Sequence, residues 1–211
     1  MVNPLKTNVY IDGFNFYYGA VKGTAYNWLD FAALCRTLFP RNDLHRIRYF
    51  TAVVDSRSSD PQQQVRQQTY IRALQTIPNL SVHLGTFKTR PVRMALVNPP
   101  RSGSRTAEVW KTEEKGSDVN LASYLLMDAF RGDCEVAIVF SNDADLKTPI
   151  EIAKNDLNIA VGVVNPHPPP KRSRDLEPTF FKQLRQGPLA ACQFPRTMSD
   201  SHGQFTRPLS W

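Results

Sequence analysis

Cysteine is scarce. Cys35, Cys134 and Cys192 are the only three, they lie far apart, and no Cys-x-x-Cys pair occurs. An odd, scattered set builds no disulfide framework and fits a reduced, cytoplasmic setting. The four histidines, His45, His83, His167 and His202, have no zinc-type spacing with each other or with cysteine. No uninterrupted apolar run approaches the ~18–20 residues of a membrane-spanning helix, and Met1 to Lys6 shows no apolar leader. A Walker Gly-Lys-Ser/Thr loop, a dinucleotide-binding glycine fingerprint and an internal repeat are missing as well. These absences disfavour secreted, membrane-embedded, zinc-finger and nucleotide-cofactor proteins.

What is present suits a globular chain. Of 211 residues, 41% are hydrophobic and 21% charged, which argues against wholesale disorder. A chain this long can bury a sizeable core without disulfides or a structural metal. Lys plus Arg number 26 against 19 Asp plus Glu, a net charge of +7. That balance favours a polyanionic partner without proving one.

Hydrophobic patterning predicts alternating strands and helices. Strands are expected at 8–11, 47–54, 80–84, 136–140 and 159–164. Helices are expected at 28–39 with Asp30 as N-cap, 62–77 after Pro61, 117–130, 145–155 and 175–184. The most apolar run, Val136-Ala137-Ile138-Val139-Phe140, reads as a central parallel strand. The fold class is α/β: a three-layer α/β/α sandwich on a mainly parallel sheet. Two segments break the rhythm. Residues 86–105 hold Lys88, Arg90, Arg93, Arg101 and Arg105 with no acid, a basic excursion of hairpin type. Residues 187–211 form a Pro-containing C-terminal tail with little room for regular structure, which Phe194, Phe205 and Trp211 are expected to anchor in part. The expected division is therefore one domain over 1–186 and the tail.

In an open α/β sheet, ligands bind beyond the carboxyl ends of the strands. Asp12 directly follows the first strand, and Asp143 and Asp145 follow the most apolar one. Asp118 opens the helix that leads into that strand. Four carboxylates brought to one edge repel each other unless a cation offsets the repulsion. An all-oxygen donor set suits Mg²⁺ or Mn²⁺, and such an ion supports phosphodiester hydrolysis. Each aspartate also has a bland reading. Asp118 and Asp145 suit helix N-termini, and an Asp after a strand often caps a turn.

Three segments add up to more than their parts. Tyr10-Ile11-Asp12-Gly13-Phe14-Asn15, Glu114-Lys115-Gly116-Ser117-Asp118-Val119-Asn120-Leu121-Ala122 and Val139-Phe140-Ser141-Asn142-Asp143-Ala144-Asp145-Leu146 occur in that order. Together they resemble the three motifs of NYN domains, members of the PIN-like nuclease group, over roughly residues 7–165. Asn142 stands where Gly is usual and Leu146 where Phe is usual. Asn tolerates strained turns and Leu keeps an apolar contact. The resemblance implies a PIN-like fold and a divalent-metal-dependent endoribonuclease, with Asp12, Asp118, Asp143 and Asp145 as the catalytic and metal-binding set. It implies that Asn15 orients Asp12 or touches substrate. Ser141 either bonds a neighbouring aspartate or simply ends its strand. Lys115 either contacts the scissile phosphate or is an exposed lysine beside Glu113 and Glu114.

RNA is the expected partner, with single-stranded DNA as a second polyanion of the same kind. Arg90, Arg93, Arg101 and Arg105 are candidates for phosphate contacts. Phe16, Tyr17 and Tyr18 are candidates for base stacking, with core packing favoured for Phe16. Arg57 and Arg66 read more simply as a solvated face, and Lys171, Arg172 and Arg174 as a minor patch or linker. PIN-like proteins often dimerise, which makes a homodimer an expectation. The alternative function is a catalytically inactive RNA-binding or scaffold module of the same fold. A haloacid-dehalogenase-type phosphatase is disfavoured because position 14 is Phe, where that class needs a second Asp.

Overall fold

A computed structural model describes residues 3–56 and 60–209; Arg57 and Trp211, two of the residues considered above, lie outside them. Seven strands form one sheet: β1 Leu5–Asp12, β2 Asn42–Ala52, β3 Leu80–Ala95, β4 Thr106–Lys115, β5 Val136–Phe140, β6 Ala160–Asn165 and β7 Phe180–Gln183. Their spatial order is β4-β3-β2-β1-β5-β6-β7. All pairings are parallel except β3 with β4. Helices cover the faces: α1 Gly13–Phe16, which runs on as a wider turn over Tyr17–Val21, then α2 Phe31–Leu38, α3 Gln63–Leu74, α4 Ser117–Phe130, α5 Lys147–Glu151 and α6 Gln186–Ala191. No helix among the described residues is long and apolar enough to cross a membrane.

The sheet is the middle of three layers and separates two apolar clusters. From Thr7 to Asp12, β1 is buried throughout because β2 and β5 flank it and helices cover both faces. Successive side chains alternate between faces. Val9 and Ile11 join one apolar cluster with Trp28, Phe31 and Phe140, while Tyr10 joins the other with Phe50, Leu121 and Leu125. Asp30 caps α2 by accepting a hydrogen bond from the Ala33 amide at 2.9 Å. Strand order reverses between β2 and β5 on either side of β1, which makes the carboxyl ends of β1 and β5 the switch point of the sheet.

Four segments differ from the sequence pattern or extend it. The helix expected at 175–184 is instead β7, paired in parallel with β6. Pro178 interrupts any helix there, and the aromatic pair Phe180-Phe181 favours a strand; the Phe180 ring meets Phe39 edge-on at 6.2 Å. Residues 13–21, unassigned from the sequence, are helical. The strand expected at 80–84 continues to Ala95 and pairs with β4, so 86–105 is the outer strand and tip of a hairpin. The tail from Gly187 contributes to α6 and a further hairpin, Thr197–Asp200 with Gly203–Thr206. Its Phe194 and Phe205 are buried in the same apolar cluster as Trp28.

Candidate metal centre

Asp12 ends β1 and is buried, with 4% of its surface exposed. Its Oδ1 accepts from the Asn15 amide at 2.9 Å and its Oδ2 from the Ser141 hydroxyl at 2.9 Å. Both oxygens are thus aimed by neighbours, one from α1 and one from the end of β5. Ser141 Oγ also accepts from the Asp143 amide at 3.1 Å, and the Asn15 side-chain oxygen accepts from the Asn142 amide at 3.0 Å. Of the two readings of Ser141, the structure has the hydrogen bond to a neighbouring aspartate. Asn15 orients Asp12 through its backbone and grips the third-motif loop with its side chain.

Asp118 sits in the first turn of α4. Gly116, at φ +101°, supplies the left-handed residue that starts the helix. Glu114 then fixes the turn, accepting from the Ser117 amide at 3.0 Å and its hydroxyl at 2.7 Å. No local pattern marks Glu114 in the sequence: in a capping box the Glu follows the Ser by three residues, whereas here it precedes it. Ligand oxygens of Asp12, Asp118 and Asp143 lie within 4.8 Å of one another. Asp145 is exposed and not among them. Its backbone amide donates to Asp143 Oδ1 at 3.0 Å, and its charge contributes to the field at Asp118.

Burial and mutual repulsion disfavour the charged forms of these carboxyls. Burial first, and then the Asp118 and Asp143 charges, push the Asp12 carboxyl from 3.8 up to about 7. Burial and the neighbouring Asp143, Glu114 and Asp145 charges likewise raise Asp118. The folded metal-free protein therefore binds more protons than the unfolded chain between about pH 4 and 7, and its stability falls as pH rises through that window. A divalent cation held by this cluster would bind the ionised carboxylates and release the proton. The Mn²⁺-induced rise in melting temperature is expected to be larger at pH 8 than at pH 5.5. Equal rises in matched thermal melts at the two pH values would contradict this.

The remaining candidates stand around the cluster. Lys115 is exposed, with Nζ 3.3 Å from Glu113, which also holds Lys111 at 2.6 Å and Arg90 at 3.9 Å. The acid that the 86–105 segment lacks is thus supplied across the hairpin by β4. Arg90, Arg93, Arg101 and Arg105 are exposed along the hairpin arm and its tip. Trp110, opposite Pro91 on the same arm, is 75% exposed and was not foreseen. Phe16 is core, against Phe31 and Phe140. Tyr17 and Tyr18 are exposed. Arg66 pairs with Asp60. Asn142 has an ordinary backbone: among the described residues only Asn158 has a positive φ outside glycine. Its amide instead ties down the 171–173 segment, donating to the Lys171 carbonyl at 2.7 Å and accepting from the Ser173 amide at 2.7 Å. Leu146 is buried, as an apolar replacement for Phe requires.

Comparison with known proteins points the same way for the fold. The family model described as NYN domain matches residues 6–182. The chain is 31% identical to 6-hydroxy-3-succinoylpyridine 3-monooxygenase of Pseudomonas putida, over 99% of this chain and 76% of that protein. A crystal structure of a protein of unknown function from Vibrio parahaemolyticus superposes with a TM-score of 0.56 at 15% identity, covering 88% of this chain and 96% of that one.

Proposed function

The chain belongs to the NYN domain family, and from that premise we propose that it is a divalent-metal-dependent ribonuclease, probing RNA in the cytoplasm and cutting it endonucleolytically. The observation that carries this reading is the convergence of Asp12, Asp118 and Asp143 at the switch point of the sheet. The donor set is all oxygen, which fits Mg²⁺ or Mn²⁺. Such an ion supplies charge for phosphoryl oxygens and activates water. The chain's own residues do the rest. Ser141 and the Asn15 amide lock the Asp12 carboxylate, Glu114 fixes the turn that presents Asp118, and Asp143 is held by its own loop.

The hairpin would position the polyanion. Lys88, Arg90 and Lys111 share one face of it, and Arg93 and Trp110 the other. Arg93→Ala and Arg105→Ala are each expected to reduce the slope of log K against log salt for single-stranded RNA by about 0.7. A binding titration between low and moderate salt measures this, and unchanged slopes would remove the hairpin from the interface. The test of the function itself is cleavage of mixed single-stranded and structured RNA, with single-stranded DNA as control, in Mg²⁺, Mn²⁺ and EDTA. Metal-dependent cleavage is expected; folded protein that binds RNA without cutting it in any metal would leave the binding-module alternative.

A second reading takes the name of the Pseudomonas relative, a monooxygenase of a substituted pyridine. An aromatic-walled cavity beside Gly13 favours a small-ring ligand. This reading requires dioxygen uptake in the presence of a hydroxypyridine and a reductant, measured with an oxygen electrode.

A further inference from the structure

The aromatic-walled cavity lies one residue from the aspartate cluster, at Gly13. It has a volume of about 300 Å³, at the lower end of the ~300–1,000 Å³ typical of small-ligand sites. Tyr17, Tyr18, Tyr26 and Tyr49 wall it, and Lys22 stands at its mouth. Gly13 joins it to the metal centre. A Cβ on Gly13 would lie 2.8 Å from the Tyr49 ring and hydroxyl and 2.7 Å from the Phe50 carbonyl oxygen. Only glycine after Asp12 lets Tyr49 approach this closely.

Among the described lining residues, one buried polar atom lacks a partner. The Asn27 amide nitrogen donates to the Thr24 carbonyl at 2.9 Å, which fixes the orientation of the amide. Its Oδ1 is left buried with no hydrogen-bond partner among the described residues. Tyr49 is 8% exposed and lines the cavity, with its hydroxyl beside Gly13. Buried polar groups are normally satisfied, and leaving them unmade is costly. An acceptor fixed by its own amide calls for a ligand N–H. Flat tyrosine walls call for a ring to stack between or against them. Charge at the mouth is positive: Arg66 is engaged by Asp60, whereas Lys22, 4.6 Å over the Tyr18 ring, meets no carboxylate among the described residues.

We propose that this cavity is a binding subsite for a planar ring that carries an edge N–H donor and an anionic substituent, supplied by an unpaired nucleotide whose base enters the cavity. The ring site stands on the cavity itself; the choice of a nucleotide as its source rests on the nuclease reading. An extruded base would bring its phosphate toward the exposed Lys22. The cost of unstacking would favour single-stranded or looped RNA over duplex.

The test is calorimetric titration of the full chain in EDTA, so that binding is read without cleavage. Ligands are adenosine and cytidine 5′-monophosphates, 4-aminobenzoate as a free aromatic acid of the same chemistry, and ribose 5-phosphate as a ring-free control. Saturable binding of at least one nucleotide is expected, with none for ribose 5-phosphate. Tyr49→Phe and Asn27→Leu are each expected to weaken binding about five- to tenfold, with melting temperatures reported for both. Binding of no ring ligand, or equal binding by wild type and both folded variants, overturns the subsite. Tighter binding of 4-aminobenzoate than of either nucleotide overturns the nucleotide as its source. RNA cleavage by the same wild-type sample separates the two claims. Cleavage without ring binding removes the subsite and leaves the nuclease, whereas ring binding without cleavage in any metal removes the nuclease and leaves a ring site.

Discussion

Asp143→Asn is expected to lower RNA cleavage by more than about a hundredfold while the protein stays folded. The loss should exceed the ~10–100-fold that follows removal of an outer partner of a metal ligand, because Asp143 is one of three carboxylates among the described residues whose oxygens converge. The fold has little reason to object. Asp143 caps the 144–146 turn by accepting from the Asp145 amide at 3.0 Å, and an Asn oxygen can accept the same bond. The substitution also removes one of the charges that raise Asp12 and Asp118, so the metal-free variant should melt no lower than wild type at pH 7. Ser141→Ala provides the contrast. It frees Asp12 Oδ2 and the Asp143 amide together without removing a ligand, and a loss of ~10–100-fold is expected. Steady-state cleavage rates with thermal melts in EDTA check both. Full activity in a clean preparation of the Asn variant would end the assignment of this cluster as the cutting site.

Much of this arrangement is legible in the sequence, and the reasons are local. Val136–Phe140 is apolar at every position because both faces of the strand are covered, and such a run has few alternatives to a central strand. The three motifs placed their aspartates at strand ends and a helix start, and the topology brought three of them together. Asp145 stands apart because a turn that points Asp143 inward leaves the residue two positions on facing solvent. Other parts depended on distant neighbours. Residues 175–184 read as a helix by spacing, and it is the open edge of β6 that makes Phe180-Phe181 a strand. The proline-rich tail looked irregular, yet a few backbone bonds suffice to hold it. The Phe194 amide donates to the Trp28 carbonyl at 2.8 Å and the Asp30 amide to the Cys192 carbonyl at 2.8 Å. The long β3–β4 hairpin was marked by charge rather than by alternation, because its outer arm has no core to face. Asn142 suggests backbone tolerance by its residue type, but its side chain carries the role, through partners about thirty residues away that no local pattern announces.

Arg48→Met is expected to destabilise the protein by about 3–5 kcal/mol, the cost of leaving a buried charge without its partner. Arg48 lies in β2 opposite Tyr10 of β1, and its guanidinium grips Asp128 of α4 with two bonds of 2.8 and 2.9 Å. Asp128 is 3% exposed and also accepts from the Tyr10 hydroxyl at 2.9 Å. The Arg48 guanidinium lies 4.5 Å over the Tyr124 ring, which itself belongs to α4. For a chain of this size the loss corresponds to a fall in melting temperature of roughly 6–20 °C. Removing both charges together, in Arg48→Met with Asp128→Asn, should cost less than Arg48→Met alone, because no uncompensated charge is left behind. The consequence reaches the metal centre through the helix. Asp118 and Asp128 sit on the same α4, about 15 Å apart along its axis, so the clamp that seats the far end of the helix also sets where its first turn presents Asp118. Metal affinity should therefore fall in the single variant and recover in the double one. Denaturant unfolding and Mn²⁺ titration on the four proteins of the cycle measure both effects. A cost below about 1 kcal/mol for Arg48→Met would place the pair among ordinary surface bridges and leave the pose of α4 to its apolar contacts with Phe50 and Leu146.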